Sequence, residues 1–265
     1  MKLHVMGRPP GYSYYHILKS WPLTSNSTWT ETSGSGGGAI AQGTNQNAAG
    51  LAGLQVAAFA CPSSAFDQMK LESNGPGAGL RFQTGNYVIV TGSTRATLKD
   101  STNKRGQMSG AGIFGPARDT NGQSIGKNFK VATDGLSKSI MAGEQSDFST
   151  DGLVIRPGSW QQWMGREQKG ATANANGEWN NGNPTGGSQT RCFQQTTIHY
   201  ALNFKERITN KTSGQDCNTP IQSTHPGGAN VLFGDGSVSF LNETMELITL
   251  QRLADANDGE VVTWP

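Results

Sequence analysis

The chain has 265 residues, 34% of them hydrophobic and 15% charged, with 36 glycines and a formal net charge of +2. That apolar content supports one main core, a single domain over residues 1–265, and glycine at nearly twice its average of roughly 7% argues for turns and strands over helices. No dense Lys/Arg cluster supplies the electrostatic footprint of a nucleic-acid binder, no window of about 18 apolar residues reads as a membrane span, and "MKLHVMGRPPGYSYYHILKS" lacks the apolar centre of a secretory signal.

Residues 26–50, "NSTWTETSGSGGGAIAQGTNQNAAG", read as an irregular loop. "AAGLAGLQVAAFACPSS" then suggests a short helix that stops before Pro62, because a proline biases the residue before it away from helical backbone. Cys61 reads there as a small buried hydrophobe. "NYVIVTGS" is a buried strand closed by Gly92, and residues 99–128 are loop-like. "FKVAT" and "SIMAGE" read as strand or strand-and-turn segments around Asp134-Gly135. Residues 157–191 form an insertion-like Asn/Gly-rich loop carrying Trp160, Trp163 and Trp179.

In "HPGGANVLFGDGSVSF", Asp235-Gly236 between two β-prone runs predicts a two-residue type I′ hairpin. The expected pairs are Phe233 with Val238, Leu232 with Ser239 and Val231 with Phe240. That register places Val231, Phe233, Val238 and Phe240 on one core face. Asp235 is then a turn residue, and the intervening strand separates it from His225, which disfavours a His-Asp dyad. His225 is expected to bond turn backbone in preference to a metal. Last, "ETMELITLQRLADANDGEVV" has helical spacing, with Met245, Ile248, Leu250, Leu253 and Ala254 on one face and Gly259 as the stop.

These segments, taken in order, resemble a bacterial family known as prepilin-type-processing-associated proteins with a His-x9-Asp-Gly domain. The carrying residues are "FACPSS", "NYVIVTGS", "GIFGP", "VATDGLSKSIMAGE", "HPGGANVLFGDGSVSFL" with His225, Asp235 and Gly236, and "LADANDGEVV". The resemblance implies an α+β, β-rich pilin- or pseudopilin-like head exported to the envelope or beyond it, without established enzymatic activity. Its partners would be further copies or related pilin-like subunits. Family members usually begin with a prepilin leader and a long apolar helix, and this sequence contains neither. Membrane attachment would need that N-terminal helix.

The remaining chemistry is sparse. His4, His16, His199 and His225 fit no zincin spacing and Cys61, Cys192 and Cys217 contain no C-x-x-C, so zinc finds no support in the spacing, and a hydrolase is the outsider among the readings. Cys192 and Cys217 are candidates for a disulfide. Calcium suits the oxygen donors Asp134, Glu144, Asp147 and Asp151, with turn chemistry as the structural alternative. Trp160, Trp163 and Trp179 offer either a glycan-stacking platform on a soluble surface protein or buried loop anchors. The expectation is therefore a non-enzymatic structural subunit, with a ligand-binding surface protein as the alternative.

Overall fold

The computed structural model describes residues 52–71, 79–96, 99–100, 106–114, 127–147, 166–167, 172–173, 179–180, 191–192, 195–206, 217–260 and 262. In chain order the strands are β1 (Met69–Leu71), β2 (Arg81–Gln83), β3 (Tyr87–Ser93), β4 (Lys99–Asp100), β5 (Met108–Ser109), β6 (Ile140–Glu144), β7 (Arg166–Glu167), β8 (Thr172–Ala173), β9 (Trp179–Asn180), β10 (Arg191–Cys192), β11 (Gln195–Ile198), β12 (Gly228–Phe233) and β13 (Val238–Asn242). One α-helix, α1 (Leu247–Ala254), follows them. This is a β-rich α+β chain, as its glycine content and short β-branched runs imply.

Two units divide the sequence, one holding residues 1–55, 69–83 and 158–160, the other 56–68, 84–157 and 161–265. In the first, β1 and β2 form an antiparallel pair with Lys70 opposite Phe82. In the second, five strands make a sheet in the order β11-β3-β6-β12-β13. β11 runs parallel to β3, and every other neighbouring pair is antiparallel. The regions expected to be loops contain the small antiparallel pairs β4–β5, β7–β10 and β8–β9.

Strand alternation sorts the sheet's two faces. Val88 of β3 lies opposite Gly143 of β6, which lies opposite Val231 of β12. This row belongs to the main core, where Val88, Val90, Ile140, Ile198, Ala229, Val231, Phe233 and Leu241 pack with Leu250, Leu253 and Ala254 of α1. Gly143 is small for a packing reason: a Cβ there would come within 2.7 Å of Ile221 Cδ1. The next row, Tyr87 opposite Glu144, therefore faces away from the core.

The hairpin differs from its expected register by one residue. Leu232 pairs with Val238, Val231 with Ser239 and Asn230 with Phe240. The Phe233 N–H donates to Ser237 O at 2.9 Å and the Gly236 N–H to Phe233 O at 3.0 Å, so Gly234, Asp235 and Gly236 form a three-residue loop. Gly236 takes φ +87°, whereas Asn203 is the only described non-glycine residue with positive φ. A type I′ turn would force Asp235 there as well. The observed arrangement confines that conformation to Gly236, as a type I turn followed by a glycine bulge does. Asp235 secures it by accepting from Ser237 N at 2.9 Å and Ser237 Oγ at 2.6 Å. A one-residue slip exchanges the faces: Val231, Phe233 and Leu241 are buried, while Val238 is 64% and Phe240 48% exposed.

Three further expectations are corrected. The helix expected within residues 48–64 is, among its described residues, a single 3-10 turn at Ala57–Phe59 flanked by extended Val56 and Ala60. Glycine and β-branched valine weaken helix there, and the pre-proline position of Cys61 ends it. "FKVAT" is likewise a 3-10 turn, Phe129–Val131, capped by the Asn128 side chain on Lys130 N. α1 ends at Ala254, ahead of Gly259, and buries Gln251 alongside Leu250, Leu253 and Ala254. Beyond it, buried Asp255 accepts from Ser93 N at 2.7 Å and Ser93 Oγ at 2.6 Å, tying the helix end to β3.

Candidate functional site

Three segments singled out in the sequence meet at the end of β6. "FACPSS" brings Cys61, "SIMAGE" brings Glu144 and "HPGG" brings His225. One donor atom from each lies within 4.8 Å of the other two. It is the one such group of His, Cys, Asp and Glu side chains among the described residues.

The backbone fixes each member. Cys61 follows the 3-10 turn, and its N–H donates to Asn86 Oδ1 at 2.8 Å. Asn86, fully buried immediately before β3, also donates from Nδ2 to Ser64 Oγ at 2.8 Å, so one side chain clamps both ends of the Cys61 turn. Glu144 ends β6 on the face turned from the core. Its Oε2 accepts from Asn230 N at 2.8 Å and its Oε1 from Asn230 Nδ2 at 3.1 Å, which fixes the carboxylate plane. His225 begins the turn into β12, with its N–H on Ser223 Oγ at 3.2 Å. Thr224 Oγ1 donates to Ser63 O, joining the two loops beside it.

Within this frame His225 Nε2 stands 3.4 Å from Glu144 Oε1 and 3.1 Å from Ser63 Oγ. The Cys61 thiol points at the same carboxylate oxygen at 3.9 Å and lies 3.1 Å from Ser63 Oγ. The Glu144 side chain is 3% exposed and that of His225 36%, so the group is closed on the sheet side and open on the His225 side. Burial, then the nearby Cys61 and Glu144 charges, push the Tyr87 phenol above its ordinary pKa.

A sulfur, an imidazole nitrogen and a carboxylate oxygen thus converge on one small volume. A nucleophile–base–carboxylate relay uses the two ring nitrogens for different partners. Here Nε2 faces both Ser63 Oγ and Glu144 Oε1.

The other sequence candidates disperse. Asp134 accepts from Asp258 N at 2.7 Å and Gly259 N at 3.2 Å, a loop-closing role. Asp147 pairs with Lys205 at 2.5 Å. With Glu144 held by Asn230, the expected calcium set is not brought together among its described members, and Asp151 lies outside the described residues. Trp160 and Trp163 also lie outside them, and Trp179 is described only as backbone of β9. Cys217 is buried and disulfide-bonded, while Cys61 is a free thiol. The Cys192 side chain lies outside the description. Asp235 is an exposed turn residue remote in role from His225, whose ring engages Ser63 and Glu144 and not turn backbone.

A family model described as "Protein of unknown function (DUF1559)" matches residues 22–247. The chain belongs to the DUF1559 family. The match includes Cys61, Glu144 and His225 of this DUF1559 chain, together with the whole hairpin. Comparison with curated proteins and with solved structures returned no match.

Proposed function

We propose that this DUF1559 protein is a non-enzymatic structural subunit, a pilin- or pseudopilin-like head that self-associates in an extracellular or cell-envelope assembly. The observation carrying this reading is the open edge of β13. Among the described residues that strand pairs only with β12. Its sequence, "VSFLN", has neither the lysine nor the proline that commonly blocks edge pairing. Val238 and Phe240 add apolar surface beside the free backbone groups.

The opposite edge provides the contrast. β11 is wholly buried, and residues 217–219 cover it: Thr197 N donates to Cys217 O at 2.8 Å and Thr219 N to Thr196 Oγ1 at 3.0 Å. A covered edge and an open one in the same sheet favour the open one as the surface of association. The disulfide at Cys217 supports export, since such bonds persist in oxidising compartments.

Light scattering and negative-stain microscopy of the full chain test the reading. Particles larger than a monomer are expected, and Phe240→Lys should return them to monomers without loss of fold. A wild-type chain that stays monodisperse and monomeric at high concentration would overturn it.

A further inference from the structure

We propose that Cys61, Glu144 and His225 form a binding site for a divalent cation of the zinc class, a property independent of how the chain assembles. The argument begins with distances. Tetrahedral zinc bound at about 2.1 Å to nitrogen and oxygen and about 2.3 Å to sulfur sets nitrogen and oxygen about 3.4 Å apart and sulfur and oxygen about 3.6 Å apart. The protein holds His225 Nε2 and Glu144 Oε1 at 3.4 Å, and Cys61 Sγ and Glu144 Oε1 at 3.9 Å. One separation already matches that of a bound ion and the second exceeds it by a few tenths of an ångström, while the third, thiol sulfur to imidazole nitrogen, lies within 4.8 Å, so side-chain rotation of Cys61 and His225 has to bring it in by up to about 1.2 Å.

Donor chemistry selects the ion. Calcium and magnesium require shells of oxygen, with six to eight oxygen ligands typical of calcium, whereas thiolate and imidazole suit borderline ions such as zinc. A thiolate and a carboxylate together neutralise a doubly charged cation, and their burial gives that neutralisation its value. The supporting contacts are those a metal site needs: both Asn230 donors orient Glu144, and Asn86 holds the Cys61 backbone. On the open side exposed Ser63 places its hydroxyl 3.1 Å from both Cys61 Sγ and His225 Nε2. That side leaves room for a water or the serine hydroxyl as fourth ligand, and lets the ion enter without unfolding. No cysteine pair was needed: the ligands come from residues 61, 144 and 225, which spacing motifs do not connect.

The test uses the full chain, stripped with a chelator and titrated with Zn2+ alone in competition with a chromophoric chelator. One equivalent should bind, and Cys61→Ser and His225→Ala should each weaken the affinity by at least about tenfold. Co2+ should produce a thiolate-to-metal charge-transfer absorption that Cys61→Ser abolishes. His225→Ala removes a side chain 36% exposed, so circular dichroism should show it folded even where Cys61→Ser is not. Absence of saturable Zn2+ binding, or stoichiometric binding unchanged in a folded His225→Ala protein, overturns the proposal. The second result would assign the ion to other side chains.

Discussion

Asp255→Asn should remove a pH dependence of stability that the wild-type chain carries between about pH 4 and about pH 6. Asp255 is 1% exposed, and burial raises its pKa from 3.8 to about 6 despite the two bonds from Ser93. The Asp258 charge pushes in the same direction and Arg95 pulls weakly against it. Its place just beyond α1 adds to the cost, because a helix C-terminus disfavours negative charge. Below pH 3.8 the carboxyl is protonated in both the folded and unfolded states. Between there and about pH 6 the folded chain keeps a proton that the unfolded chain releases, so stability falls as pH rises. Above about pH 6 both states are ionised and the folded state bears the full cost, roughly 3 kcal/mol at about 1.4 kcal/mol per unit. Asparagine retains an acceptor for Ser93 N and presents its amide to Ser93 Oγ. Denaturant unfolding of both proteins from pH 4 to pH 8 isolates the effect, because other titrating groups cancel in the difference. The variant should gain on wild type by up to roughly 3 kcal/mol across the window. A difference that stays flat, or that favours wild type as pH rises, would refute the assignment of that burial cost to Asp255.

Two substitutions probe the packing of the same unit. Gly143→Ala should cost about 1–3 kcal/mol in denaturant unfolding, because the new methyl meets Ile221 Cδ1 at 2.7 Å, and Ile221→Val, which removes that atom, should restore part of the loss. Gly236→Ala meets no atom within 4 Å yet requires φ +87°, so it should cost about 1–2 kcal/mol through backbone strain alone, with no rescue from any neighbouring side chain.

How far the sequence reaches is clearest in the hairpin. Alternation and turn residues located both strands, and the β-branched run of β3 was equally legible. The register was not, because Asp-Gly serves both a two-residue turn and a three-residue turn with a glycine bulge, and the choice between them inverts which residues are buried. Over the described residues 52–64 the expected helix gives way to a 3-10 turn for a different reason: the apolar residues follow helical spacing, but Gly53 and Pro62 punctuate them more strongly than spacing organises them. The site was legible only in pieces. His225 stood out as a motif and Glu144 as an oxygen donor, while Cys61 read as a small apolar residue. What unites them is the pairing of β3 with β6, residues more than 50 apart in the chain, and of β6 with β12, more than 80 apart, which brings Cys61 to Glu144 across a separation of 83. The available local signal was turn punctuation beside two of the three, Pro62 after Cys61 and Pro226-Gly227-Gly228 after His225, while Glu144 follows a glycine within its strand.

The unequal edges of the five-stranded sheet carry a consequence for symmetry. Two copies meeting through β13 use the same surface on both sides, related by a two-fold axis, and such a contact closes on itself. A chain of sheets would require β13 of one copy to meet β11 of the next, and residues 217–219 already occupy that edge. On the proposed reading, strand addition through β13 would stop at a pair, a ten-stranded continuous sheet with a covered edge at each end. Growth beyond two copies would then need a second surface, so on that reading the β13 edge both joins and terminates.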